Sequence, residues 1–292
     1  MRLVTYLVDG ERRVGALRDR EVVDLNRADA TLPIDVVALL EAGAATLERA
    51  RRAVASAAAE SAPVQSLEAV KLLAPIPRPP KIVCVGLNYA DHVAEAAAHG
   101  RPPMEKPSVF IKVSSAVIGP GEPIVRPTTT QQLDYEGELA VIIGQRVKGV
   151  QREQTMACVA GYTIFNDVSA RDLQLGKDGG IIVGKNFDTS APMGPYVALT
   201  DELPDPTGLG LRTWVNGEQR QDSNTRNLIF DIPFIISYIS RQLTLEPGDV
   251  IATGTPSGVG LGMDPQVWLQ PGDTVRIEID GLGALENPVA QG

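Results

Sequence analysis

Four prolines fall within the six residues 75–80, in Leu73-Ala74-Pro75-Ile76-Pro77-Arg78-Pro79-Pro80. Each fixes its own φ and lacks a backbone N–H, so the stretch can be neither helix nor central strand. A chain of 292 residues interrupted in this way is expected to fold as two parts, at roughly 100–200 residues per domain. The boundary predicts a small N-terminal α+β domain over 1–72 and a larger domain over 73–292. In the first part, 3–8, 13–17 and 21–25 have strand character, with Asp9-Gly10 as a turn between the first two. Helical patterns follow at 34–41, behind Pro33, and at 44–59, which is rich in alanine and arginine.

The second part is dominated by strands. Segments 82–85, 108–111, 139–143, 157–166, 196–199, 212–215, 250–253 and 274–279 are apolar or alternating runs, separated by glycine- and proline-rich turns such as Asn216-Gly217 and Pro271-Gly272-Asp273. Helices are few: 90–98, 168–173 and 233–241, with Asn227 as an earlier cap for the last. Strands and helices do not alternate, which excludes a doubly wound parallel sheet. The fold class is therefore α+β, mostly β, with mixed or antiparallel sheets.

Lys and Arg total 27 and Asp and Glu 36, a formal net charge of −9. Nucleic acid and anionic membrane are poor partners for such a chain, since phosphate binding needs basic surface. A locally positive site for a small anion remains compatible with it. The two cysteines, Cys84 and Cys158, lie in apolar runs and read as buried hydrophobes in a reducing compartment. The first residues lack the apolar core of a signal peptide and no run approaches the ~20 residues of a membrane span. Together these predict a cytoplasmic protein.

Four segments can carry chemistry. In Asp134-Tyr135-Glu136-Gly137-Glu138-Leu139-Ala140-Val141-Ile142-Ile143-Gly144, Glu136 and Glu138 are two residues apart on a strand and leave on one face. Such neighbouring like charges need a cation or a proton between them. With Asp167, just after the next strand, they form an all-oxygen set suited to Mg²⁺ or Mn²⁺, or Ca²⁺. Alternatively they are a solvated acidic strand end, with Asp167 capping the following helix. In Gly86-Leu87-Asn88-Tyr89-Ala90-Asp91-His92-Val93-Ala94-Glu95, His92 and Glu95 are neighbours on one helical face, an arrangement that raises imidazole basicity and activates water. It is also a common surface pair. Lys185, in Gly184-Lys185-Asn186-Phe187-Asp188, reads either as a loop lysine or as a cation delivered to an oxyanion. The glycine-rich loop Thr253-Gly254-Thr255-Pro256-Ser257-Gly258-Val259-Gly260 offers backbone N–H groups to an anion, or is only a turn.

In this order these segments, with KPSVFIK, GYTIFNDVSARDLQ, NTRNLIFDIPFIISYIS and LEPGDVIATGTPSGVG, closely resemble the fumarylacetoacetate hydrolase superfamily over roughly residues 80–260. The resemblance implies a mixed β-roll around a metal-centred pocket, behind a small N-terminal domain, in a homodimer. It gives Glu136, Glu138 and Asp167 the metal-ligand roles, His92 and Glu95 the water-activating roles, and Lys185 the substrate and oxyanion role. Arg171, Gln174 and Thr255 fall where the family contacts substrate. Lys112 departs from the usual Lys-Pro, since Val113 follows it. The expected activity is metal-dependent hydrolysis of a C–C bond in a small anionic 2-oxo or 1,3-diketo acid of acylpyruvate or fumarylpyruvate type. The alternatives are a decarboxylase of oxaloacetate-like 2-oxo acids or an isomerase of 2-hydroxy-diene-dioates in aromatic catabolism, and a ligand-binding protein without turnover. Segment 92–106 is expected to act as a lid over bound substrate.

Overall fold

The computed structural model describes residues 1–57, 64–98 and 105–292. The middle of the expected lid, and His99 with it, lies outside the described residues. A large mixed sheet forms the backbone of the molecule. Its strands run in hydrogen-bonded order from Val64–Ser66 through Glu21–Asp24, Glu11–Arg18, Arg2–Val8, Ala191–Leu199, Val159–Asn166, Gly137–Ile143, Val250–Ala252 and Ile82–Gly86 to Ser108–Lys112. The N-terminal strands thus extend the same sheet, with Leu3 opposite Val197. A second sheet contains Glu218–Asn224, Gly210–Val215, Thr274–Ile279, Gly283–Gln291 and Ile124–Arg126.

The strand Gly137–Ile143 is buried along its whole length and explains the layering. Leu139, Val141 and Ile143 pack with Leu211, Ile277 and Leu285 of the second sheet and with Ile235 and Ile239 of the helix Ile232–Gln242. On the opposite face, Ala140 and Ile142 join Leu39 and Leu40 of the helix Val36–Glu41. A strand covered on both faces is continuously apolar rather than alternating, as the run 139–143 is.

Most expected elements are present within a residue or two, although the strand expected at 196–199 begins at Ala191. Three differ for local reasons. The last helix begins at Ile232, because the Asp231 carboxylate caps it by accepting from Phe234 N; Asn227 instead ends a separate 3₁₀ turn, Thr225–Asn227. The helix expected at 168–173 starts at Arg171, since Ser169 and Ala170 pair with Asp134 and Leu133. Lys185 ends a short helix, Ile181–Lys185, rather than sitting in a loop. Gly184 is what permits that helix: a Cβ there would lie 2.5 Å from the Gln174 backbone on the neighbouring helix Arg171–Leu175.

Candidate metal and active site

Glu136 and Glu138 flank Gly137, the first residue of the central strand. They leave on the face shared with Ala140 and Ile142. Asp167 follows the neighbouring strand, and its N–H donates to the Glu136 carbonyl at 2.9 Å. This bond continues the ladder one step past the Gly137–Asn166 pair, so the two carboxylate-bearing residues are held opposite each other by backbone. The three carboxylates are buried, and one ligating oxygen from each lies within 4.8 Å of the others.

Cations surround this cluster. Lys185 Nζ donates to Glu136 Oε2 and Asp167 Oδ2, both at 2.7 Å. Lys112 Nζ lies 2.7 Å from Asp167 Oδ1 and donates to the Val168 carbonyl at 3.1 Å. Arg171 bridges Asp134 Oδ2 at 2.8 Å, Glu136 Oε1 at 2.6 Å and Gln174 Oε1 at 3.1 Å. With Val113 after it, Lys112 is buried and turned onto Asp167. Asp167 is therefore no helix cap: its carboxylate faces lysines, and the helix Arg171–Leu175 has no side-chain cap.

Four carboxylates (Asp134, Glu136, Glu138, Asp167) thus meet three cations (Lys112, Arg171, Lys185). The excess falls on Glu138, whose described polar contact is the Gly254 N–H at 2.8 Å. Burial, with Asp167 and Glu136 alongside, pushes the Glu138 carboxyl well above the usual carboxylate range. Burial acts in the same direction on Glu136, but Lys185, Arg171 and His92 outweigh it and hold that group low. A carboxylate in excess of the surrounding cations, beside two more carboxylates, all oxygen and all buried, is the donor set a hard divalent cation would neutralise. The residues fit such an ion.

The opposite wall comes from the turn after the strand Ile82–Gly86. Leu87 has φ +56, a left-handed conformation that non-glycine residues adopt at a cost. Asn88 holds it there. Its Oδ1 accepts from Phe230 N at 2.8 Å, while Nδ2 donates to the carbonyls of Thr253 and Phe230. The helix Ala90–Ala98 follows. On it, His92 Nδ1 lies 2.8 Å from Glu95 Oε2, and Gly258 N donates to Glu95 Oε1 at 3.1 Å. His92 is buried and lines one cavity of about 100 Å³ together with Glu95, Glu136, Glu138, Lys185 and Phe110. It is not a surface pair.

The glycine-rich loop donates its N–H groups, but to acids of the protein itself. Gly254 N reaches Glu138, Gly258 N reaches Glu95, and Gly260 N and Leu261 N reach Asp134 at 2.7 and 3.1 Å. Gly254 is at φ +105 with the Val85 carbonyl 2.9 Å from where its Cβ would be, so only glycine fits. Thr255 borders the cavity, yet its hydroxyl donates to the Gly137 carbonyl at 2.9 Å and accepts from Gln221 Nε2 at 2.8 Å. Asp134 and Gln221 were not expected from the sequence. Asp134 stands beside the glutamate pair and is fully buried, while Gln221 lies in a polar segment without any local signal.

The model of the fumarylacetoacetate (FAA) hydrolase C-terminal family matches residues 81–290. The chain is 45% identical over 269 residues to the Bos taurus protein "Oxaloacetate tautomerase FAHD2A, mitochondrial", covering 92% of this chain and 83% of that one. Among solved structures, a fumarylacetoacetate hydrolase from psychrophilic Exiguobacterium antarcticum superposes with TM-score 0.84 at 38% identity. Maleylpyruvate hydrolase from Sphingobium sp. SYK-6, in complex with manganese(II) and pyruvate, does so with TM-score 0.82 at 34% identity. Both alignments cover 100% of each chain. The bovine relative is named as mitochondrial, which overturns the expectation of a cytoplasmic protein. Buried, unpaired cysteines report a reducing environment, not which compartment supplies it. A mostly β chain with this order of motifs, matched over 81–290, belongs to the fumarylacetoacetate hydrolase family and is an enzyme of that family.

Proposed function

We propose that the chain is a divalent-metal-dependent enzyme that interconverts the keto and enol forms of a small 2-oxo dicarboxylic acid of oxaloacetate type. The observation that carries this reading is one small cavity lined both by Glu136 and Glu138 of the carboxylate triad and by a histidine–glutamate pair, in a chain 45% identical to an oxaloacetate tautomerase. Glu136, Glu138 and Asp167 would hold Mg²⁺ or Mn²⁺. When bound, such an ion polarises a 2-oxo carbonyl and orients the adjacent carboxylate.

The residues of the chain supply the rest. With Nδ1 engaged by Glu95, Nε2 of His92 takes a proton from C3 of the keto acid. The electron pair of that C–H bond becomes the C2–C3 double bond, and negative charge gathers on the C2 oxygen. Lys185, kept protonated because Asp167 and Glu136 outweigh the cost of its burial, stabilises that oxygen. Return of that proton from His92 Nε2 to the C2 oxygen completes the enol and restores the neutral imidazole, and the reverse sequence gives the keto acid. A proton-transfer group in this role contributes typically ~10²–10⁴-fold. The cavity of about 100 Å³ is small beside the roughly 300–1,000 Å³ of ordinary ligand pockets, which suits a four-carbon acid.

The same His92–Glu95 pair supports a second reading, hydrolysis of an acylpyruvate C–C bond by activated water. The test is a panel with Mn²⁺ or Mg²⁺: enol-oxaloacetate disappearance, pyruvate release from oxaloacetate, and hydrolysis of acetylpyruvate and maleylpyruvate. Fast enol-oxaloacetate turnover, abolished by EDTA and restored by the metal, is expected. Hydrolysis alone would replace the tautomerase reading with the second, and turnover untouched by EDTA would remove the metal from both.

A further inference from the structure

The edge strand Glu218–Asn224 of the second sheet is polar in every residue, and Gln221 is the one residue in it that is fully buried. A buried glutamine on an exposed edge strand requires a use for its amide. Its three hydrogen bonds go to the carboxylate wall and to the glycine-rich loop beside it. Gln221 Oε1 accepts from Gly137 N at 3.1 Å, the peptide between Glu136 and Glu138. Its Nε2 donates to Thr255 Oγ1 at 2.8 Å and to the Pro256 carbonyl at 2.9 Å. Thr255 in turn donates to the Gly137 carbonyl, so one side chain closes a ring around the glycine that spaces the two glutamates. The strand reaches inward because its register with Gly210–Val215 slips by one: Thr213 faces Gln221 but Trp214 faces Gln219. Such a bulge re-aims a side chain.

We infer that Gln221 is a positioning residue that sets the separation of Glu136 and Glu138 by clamping the Gly137 peptide to the Thr255 hydroxyl and the Pro256 carbonyl. The inference rests on the reading of those glutamates as a cation-binding pair, and it places the control of that pair in the second sheet. Ser223 of the same strand donates to Asp91 Oδ2 at 3.2 Å, so the strand also touches the helix that carries His92.

The test is Gln221→Met, which keeps the volume and removes the three hydrogen bonds. It is compared with Val215→Ala, which weakens the packing of the same sheet from a buried position away from the clamp. Two readouts are independent of turnover. Calorimetric titration of the metal-free protein with Mn²⁺ alone is expected to show about 10–100-fold weaker binding for Gln221→Met and wild-type binding for Val215→Ala. Amide exchange in a peptide spanning 136–138 is expected to quicken only in Gln221→Met. If Gln221→Met does not fold, Gln221→Asn, whose amide is one methylene short, takes its place with the same expectations. Wild-type Mn²⁺ affinity in the glutamine variants, or an equal loss in Val215→Ala, overturns the inference. Failure of the wild-type enzyme on every 2-oxo acid would sink the proposed reaction while leaving the Mn²⁺ comparison intact.

Discussion

The two walls of the cavity are built to different standards. The carboxylate wall lies on the central strand, buried on both faces, and the side chains of Glu136, Asp167, Arg171 and Lys185 each meet at least two partners. The His92 wall is a single helix at the rim, tied to the body through Glu95 and through Asp91, which accepts from Ser223 and Ser257 at 3.2 Å. Buried ionic networks are costly to break, because removing one partner strands the others. The described ties of the rim helix are hydrogen bonds that two serines and a glycine donate to its carboxylates. On the proposed reaction, the contrast separates holding an ion, which demands fixed distances, from moving a proton, which demands approach to a substrate that arrives and leaves.

The sharpest attempt to break this contrast is Glu136→Gln. It removes one charge from the triad and leaves Arg171 and Lys185 each short of a carboxylate. Loss of Mn²⁺ binding, loss of turnover by three orders of magnitude or more, and destabilisation by about 3–5 kcal/mol are expected together, the last by chemical denaturation. Retained Mn²⁺ binding would refute the ligand assignment. His92→Ala should act on the rim alone: turnover falls about 10²–10⁴-fold, while Mn²⁺ affinity stays within about twofold of wild type. A matching loss of Mn²⁺ affinity would show the two walls to be one unit. The smallest effect belongs to Ser257→Ala, which removes one long hydrogen bond to Asp91. A change of about 0.5–1.5 kcal/mol, read as a few-fold drop in kcat with KM and Tm nearly unchanged, is expected if that bond only steadies the helix.

How much of this was legible in the sequence follows the same division. The carboxylate wall was readable because its signals are local: an apolar run, two glutamates at i and i+2, and an aspartate after the next strand. Their union across strands needed only antiparallel pairing. Helical spacing made His92 and Glu95 neighbours, but an ordinary surface pair has the same spacing, and the family resemblance was needed to choose between the two. What could not be read is whatever depends on a distant partner. Glu218–Asn224 has no hydrophobic period, because as an edge strand it buries only one side chain, and that one is polar. Lys185 looked like a loop residue because Gly184 reads as a breaker, whereas the glycine serves close packing against Gln174. The donors of the glycine-rich loop were visible, but not that Glu138, Glu95 and Asp134 receive them.

That loop has a consequence for how substrate range can change in this family. Its backbone serves three acids on two separate segments at once, so an insertion or deletion there would be felt at Glu138, Glu95 and Asp134 together. Loops elsewhere are the usual raw material for new specificity, since they vary without disturbing the scaffold. Here the variable part must be sought among side chains that line the cavity without holding an acid, such as Phe110, Ile181, Val259 and Leu261. A library directed at those four positions should yield altered substrate preference with metal binding preserved, whereas one directed at the length of segment 254–261 should yield mostly inactive protein.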